Sequence, residues 1–480
     1  MAGIMRKFIT GTIWLSAAQF ISFFLSFGVN IILARLLTPK DFGTFFLALS
    51  ITDLFYILSS WSFSIAIIQA KEVNQEFLDT AYWLSLIQGF IMFSLTLIVS
   101  FLLKRFYSFQ VVNIIVILSA LKIPTLLSAC YGAIVERELE YRSFSLVQLL
   151  SRIIPMFSAI GLAVLKLGVW SFVGREILTS GITFWGMRYI SMWRFRWGFK
   201  IESAKHLLRF GSQAFVYRGL TVIYTRFRNF IIGTIAGTTQ LGFFNQACQL
   251  SEMGVRLGGP AVVHVALAGY SRLQGNKDKL SQGYEMVNYF LIRFLIPTAI
   301  LFFLFSNQII VFLYGERWSH SASVLKILAF YALAMPIFEN MKQLLYSQDR
   351  IIQAVKARVI QVAILVPGTY WALKKYGILG ASYVVDLTTA AGIAIIIFYL
   401  KQIINLNVKK LIFTPLLSGV VTLIICWLWT NFVYKPKANL PGIFIIGLII
   451  LSTYFIVLTM LEKDVLWFNL KKVFHILKAA

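Results

Sequence analysis

The chain is poor in charge. Asp, Glu, Lys and Arg make up 13% of its 480 residues, about half the share of an ordinary soluble domain. Acidic residues are the scarcer, 19 against 44 Lys and Arg. With 59% hydrophobic residues, this composition excludes a soluble globular fold, because one core cannot hide that much apolar surface. Cysteine is rare as well: Cys130, Cys248 and Cys426 sit in apolar stretches, which indicates packing rather than disulfides or a metal site. The chain has no GxxxxGK[ST], HExxH, CxxC or GxSxG motif, which argues against nucleotide-driven pumping and familiar hydrolase chemistry. The reading is a non-enzyme with no catalytic residues, metal or cofactor. Period-two alternation is missing too, so a transmembrane β-barrel is not expected.

What the chain has instead is long apolar runs. Thr12 to Ala34 and Gly442 to Leu461 contain no charged residue. At 1.5 Å per residue, about 20 residues cross the ~30 Å hydrocarbon layer. This predicts an all-α membrane protein of about fourteen transmembrane helices. They begin with 12–34, 42–69, 80–103, 110–133, 144–165, 168–187 and 210–236. They continue with 241–268, 284–314, 322–346, 351–373, 378–400, 411–430 and 441–461. The longest connection, from Arg188 to Arg209, is too short for a soluble domain.

Loop Lys and Arg set orientation through the positive-inside rule. With both termini on one side, that side holds 22 of them and the other ten, so both termini are expected in the cytoplasm. The net charge of +25 then reads as topology plus attraction to anionic headgroups. The basic residues are scattered among the loops, so no nucleic-acid partner is expected.

A shift of 199 residues aligns Asn30 with Asn229, Gly43 with Gly242 and Ala48 with Ala247. FGTFF (42–46) and LGFF (241–244) both open a helix after a short turn. Two parallel six-helix lobes follow, 1–200 and 201–403, with a C-terminal helix pair and tail at 404–480. Parallel repeats in transporters place a site near mid-bilayer between lobes.

Twelve basic residues fall inside the expected spans against six acidic ones. A central Arg or Lys costs about 2.5–3.5 kcal/mol on insertion scales, so each needs a partner, water or the interface. Glu252–Arg256 and Glu339–Lys342 pair by helical spacing. Lys122, Arg175, Lys326, Lys356 and Arg358 lie near span ends, where they can snorkel. Arg152, Arg218, Arg226, Arg228 and Arg293 remain without an obvious local partner, and are the candidates for an aqueous cavity that binds an anion through guanidinium forks. Arg226 and Arg228, two residues apart, cannot point the same way on an α-helix. Asp53 and Asp386 are candidates for ion coupling, with structural hydrogen bonding as the alternative. His264 reads as a packing residue. Pro155, Pro297 and Gly258-Gly259-Pro260 mark expected bends.

Four segments carry a resemblance: ILARLLTPKDFG (Ile32–Gly43), VERELEYRSFSLVQ (Val135–Gln148), LGFFNQA (Leu241–Ala247) and LYGERW (Leu313–Trp318). In the same order along nearly the whole chain, they resemble the Wzx-type polysaccharide-lipid flippases. These are the branch of the multidrug/oligosaccharidyl-lipid/polysaccharide (MOP) superfamily that includes colanic acid exporters. The resemblance implies a two-lobed flippase of the bacterial cytoplasmic membrane, moving undecaprenyl-diphosphate-linked oligosaccharide to the outer leaflet. It also implies contact with membrane lipids and with other polysaccharide-assembly membrane proteins. None of the five arginines lies in a matched segment, and the seventh span, with Arg218, Arg226 and Arg228, is unusually basic for the family. The rival readings are a cation-coupled drug antiporter of the same superfamily, a polysaccharide polymerase or ligase, and a non-transporting partner of a biosynthetic complex. Surplus positive charge in the spans argues against the first, and short external loops against the second.

Overall fold

The computed structural model describes residues 2–57, 63–70, 73–255, 266–267, 269–433 and 437–479. The side chains of 2–13, 15–16, 210–218, 408–410, 464–466 and 468–479 lie outside that description. Every regular element among the described residues is helical. The chain divides into two compact units, Met1–Gly242 and Phe243–Ala480.

In the first unit, α1 (Ala2–Leu36) is followed by a capped helix start. The Thr38 N–H donates to the Asp41 carboxylate at 2.9 Å, and the Asp41 N–H donates to the Thr38 hydroxyl at 3.2 Å. With Pro39 at the first helical position, where no intrahelical hydrogen bond is lost, this box opens α2 (Pro39–Phe55). There follow α3 (Phe63–Gln69), α4 (Gln75–Leu103), α5 (Phe109–Arg137), α6 (Tyr141–Val164), α7 (Trp170–Ile190) and α8 (Ile201–Val222). A π-helical turn over Ile223–Phe227 leads into α9 (Arg228–Ile235), and α10 (Thr238–Ser251) begins at the end of this unit. α6 packs on α1 and α7, while α5 packs on α4 and α7. Tyr82, Tyr131 and Trp193 close the core at one end, their ring centroids 5.3–5.7 Å apart.

Two of the positions aligned by the 199-residue shift meet here. A Cβ on Gly43 would lie 1.6 Å from the Thr238 carbonyl oxygen, and one on Gly242 would lie 2.0 Å from the Pro39 carbonyl oxygen. The 199-residue shift maps Pro39 onto Thr238 as well as Gly43 onto Gly242. The two helix starts therefore cross with backbones touching, each glycine set against the other's first carbonyl, and no side chain fits between them.

The second unit contains α11 (Lys277–Tyr314), α12 (His320–Ile327), α13 (Ala329–Ser347), α14 (Ile351–Leu400), α15 (Val408–Phe432) and α16 (Leu440–Ala479). α11 packs on α13, α15 and α16, and α13 on α14. α14 has 50 residues, roughly 75 Å if straight, more than twice the hydrocarbon thickness. It breaks at Gly377, whose φ of 61° and ψ of −150° suit glycine, beside exposed Lys374 and Lys375. The expected spans 351–373 and 378–400 are thus joined through one irregular residue.

Eight helices among the described residues are long and apolar enough to cross a membrane. The bent pair α12–α13, with 46° between its halves, makes a ninth if counted as one span. α7 is not among them, its apolar run being interrupted by Arg175 and Glu176, which pair at 2.8 Å. Phe24, Phe157, Phe294, Tyr383 and Phe444 stand exposed along these helices, as lipid-facing side chains do. The chain is an integral membrane protein. Non-helical dihedrals occur at Phe305, Gly377 and Glu462, while Pro155 and Pro297 lie inside the helices α6 and α11. Gly258-Gly259-Pro260 lies outside the described residues.

Candidate functional site

Two of the five arginines expected to lack a partner have one far away in sequence. Arg293 on α11 is 3% exposed. Its Nη2 donates to Glu462 Oε1 at 2.7 Å, its Nε to Glu462 Oε2 at 3.1 Å and its Nη1 to the Tyr289 carbonyl at 2.9 Å. The Tyr289 ring lies 3.4 Å from the guanidinium. All faces of this fork are used, and Glu462 is the residue at which α16 leaves helical geometry, with φ −136°. The expectation of an unpaired Arg293 is corrected: it clamps α16 to α11. Local spacing could not show a pair 169 residues apart.

Arg226 is the second. It sits in the π-turn and its Nε lies 2.7 Å from Asp53 Oδ2, while Lys122 Nζ lies 2.6 Å from Asp53 Oδ1. Asp53, 13% exposed at its side chain, thus bridges two cations from α5 and the π-turn, and the trio carries a net positive charge. Lys122, expected to snorkel, is part of this trio instead. Arg228 is 4% exposed, with Nε 3.4 Å from Asn229 Oδ1, so it does not face open water. The Arg218 side chain, Arg256 and His264 lie outside the described residues. Asp386 on α14 is partly buried, and its Oδ1 has no hydrogen-bond partner among the described residues. Glu339 and Lys342 pair at 2.7 Å, as their spacing requires. Arg358, expected near an interface, is 3% exposed and lies over the Phe338 ring at 5.5 Å.

Arg152 is different. Its side chain is exposed, and no carboxylate pairs with it among the described residues. It lies eleven residues into the 24-residue α6, about 16 Å along the axis and close to the middle of the helix. On α6 the exposed apolar residues Leu146, Leu150, Ile154 and Phe157 form one face. Ser145, Gln148 and Arg152 lie roughly 160° around the helix from it. α1 runs alongside in the same direction, Arg142 meeting the Trp14 ring at one end and Ser26 meeting Met156 further along. Its own exposed apolar face holds Phe20, Ile21 and Phe24, and Gln19, Ser22 and Ser26 lie opposite.

Between these two polar stripes is a cavity of about 90 Å³, lined by Ala18, Gln19, Ser22, Phe144, Ser145, Gln148 and Arg152. Ser145 is 1% exposed, and its hydroxyl has no partner among the described residues. Gln19, Ser22, Ser145 and Gln148 were not picked out in the sequence, although their signal was there: uncharged polar residues at helical spacing within two apolar spans. A search confined to charged residues passes over them.

Over residues 32–323 the chain matches the family described as polysaccharide biosynthesis protein. It is 22% identical to the lipopolysaccharide biosynthesis protein WzxC of Escherichia coli (strain K12), over 93% of this chain and 89% of that protein. It is 21% identical to the teichuronic acid biosynthesis protein TuaB of Bacillus subtilis (strain 168), over 68% of this chain and 69% of that one. Among solved structures, lipid II flippase MurJ in an inward closed conformation has the same fold. The TM-score is 0.77 at 16% sequence identity, covering 95% of this chain and 100% of that chain. The chain belongs to the polysaccharide biosynthesis protein family and shares its helical fold with lipid II flippase MurJ.

Proposed function

We propose that this protein is a flippase that carries undecaprenyl-diphosphate-linked oligosaccharide from the inner to the outer leaflet of a bacterial cytoplasmic membrane, for assembly of surface polysaccharide. The observation that carries the reading is Arg152: an exposed, charged side chain midway along a 24-residue apolar helix, opposite that helix's exposed apolar face and with no carboxylate beside it among the described residues. Leaving such a group in hydrocarbon costs several kcal/mol, so it belongs in a hydrated place that admits an anion. Family membership and the relatives named for polysaccharide biosynthesis support the same reading.

On this reading the chain has about fourteen spans, in lobes 1–200 and 201–403 with a terminal pair at 404–480, and both termini are cytoplasmic. The polyprenyl tail stays in lipid while diphosphate and sugars cross through a polar cleft by alternating access, so no polar group is stranded in hydrocarbon. Arg152 and Arg218 line that cleft. Asp53, holding Lys122 and Arg226, and Asp386, whose Oδ1 has no hydrogen-bond partner among the described residues, are the groups through which an ion gradient acts. Arg226, within the π-turn, answers to Asp53 rather than to the substrate directly, Arg228 is buried beside Asn229, and Arg293 serves the scaffold.

Reconstitution into liposomes tests the reading. Purified protein is supplied with an undecaprenyl-diphosphate oligosaccharide, and exposure of the glycan on the opposite leaflet is scored with a membrane-impermeant lectin. Time-dependent exposure that requires the protein is expected. Efflux of a cationic dye without glycan exposure would place the chain among drug antiporters instead.

A further inference from the structure

The cavity between α1 and α6 has a donor and acceptor set that a phosphate alone does not call for. Phosphate oxygens only accept hydrogen bonds, and a site built for phosphate presents donors. Here one guanidinium, that of Arg152, stands with two carboxamides, Gln19 and Gln148, and two hydroxyls, Ser22 and Ser145, each of which both donates and accepts. Sugar hydroxyls also do both, and Phe144 in the same lining offers an apolar ring face to the C–H face of a pyranose.

Burial sharpens this. The Ser145 hydroxyl is 1% exposed and lacks a partner among the described residues, in a helix where i−4 carbonyls commonly satisfy serine. Leaving it unsatisfied is unfavourable unless something enters the cavity. A volume of about 90 Å³ is roughly three water volumes. That is too small for an oligosaccharide, and the right scale for one edge of a sugar ring beside a phosphate.

We infer that Gln19, Ser145 and Gln148 read the phosphate-proximal sugar of the transported lipid, with Arg152 holding the adjoining phosphate. The niche recognises a glycosyl phosphate and is where this chain chooses among lipid-linked glycans. The inference rests on the flippase reading above and names the part of the substrate this site selects. The four polar groups sit on two parallel helices of one compact unit.

The test is a titration of the full-length protein in nanodiscs, read by native mass spectrometry. The probes are bare undecaprenyl diphosphate and undecaprenyl diphosphate carrying one glucose, galactose or N-acetylglucosamine. The wild type is expected to prefer one sugar-bearing lipid over the bare one by about tenfold, the worth of one or two net hydrogen bonds. Gln19→Ala/Gln148→Ala should bring that preference close to unity, whatever the change in affinity for the bare lipid. Arg152→Ala should weaken bare and sugar-bearing lipids alike, keeping the preference. Thermal unfolding of each variant at the wild-type temperature confirms that the helices are intact, and Ser145→Ala, an isosteric loss of one hydroxyl, gives the same direction with the least perturbation. An unchanged sugar preference in both the glutamine and the serine variants overturns the niche while the flippase reading stands. A wild-type protein that binds none of the lipid diphosphates overturns both.

Discussion

The guanidinium of Arg293 and the carboxylate of Glu462 meet at 2.7 Å, buried where α16 departs from helical geometry. A charge pair in this position does structural work. Removing one partner strands the other charge in a low-dielectric site, which costs about 3–5 kcal/mol. Arg293→Ala and Glu462→Ala should each lose that much in reversible detergent unfolding. The apolar pair Arg293→Met/Glu462→Leu should recover most of it, and a double variant no better than the singles would show that the two side chains are not coupled.

Asp53 holds Lys122 and Arg226 at 2.6 and 2.7 Å. Asp53→Asn leaves two cations facing each other across an amide. The three side chains are partly exposed, so screening limits the effect to about 1–2 kcal/mol. Lys122→Met in the Asp53→Asn background should restore stability by relieving that repulsion, a sign that a double-mutant cycle reads directly.

The crossing of Gly43 with Gly242 is intolerant of any side chain. A methyl at either position would meet a backbone carbonyl, at 1.6 Å from Thr238 or 2.0 Å from Pro39, and backbone cannot rotate away as a side chain can. Gly43→Ala and Gly242→Ala should destabilise by about 3 kcal/mol or more, beyond ordinary overpacking. Gly161→Ala, on α6 with nothing within 4 Å of the new methyl, should be neutral or gain up to about 1 kcal/mol from helix propensity. Expression and unfolding of the three variants side by side check the contrast.

Much of the scaffold could be read from residue order because lipid imposes a simple rule: apolar runs of the right length become helices. The capping box of Thr38 and Asp41 lies ahead of the span start expected at 42, and the 199-residue shift pairs Gly43 with Gly242, two residues that meet in the fold. The charges were harder. Glu339–Lys342 obeys helical spacing and was read correctly, whereas Arg293–Glu462 and Arg226–Asp53 are joined only by the fold. The π-turn at Ile223–Phe227 also left no mark that a regular 3.6-residue period can detect, and it decides where Arg226 points. Gln19, Ser145 and Gln148 were in plain view but uncharged, so an accounting of charges missed them.

The central claim is that Arg152 serves the substrate and Arg293 serves the scaffold. The most direct measurement compares Arg152→Ala with Arg293→Met/Glu462→Leu in the same liposome assay, scoring movement of undecaprenyl-diphosphate oligosaccharide between leaflets at matched protein incorporation. The account predicts at least about a tenfold loss of rate for Arg152→Ala with unchanged unfolding, the scale of one lost charge-assisted contact, and near wild-type transport for the apolar pair. Full transport by Arg152→Ala would contradict it.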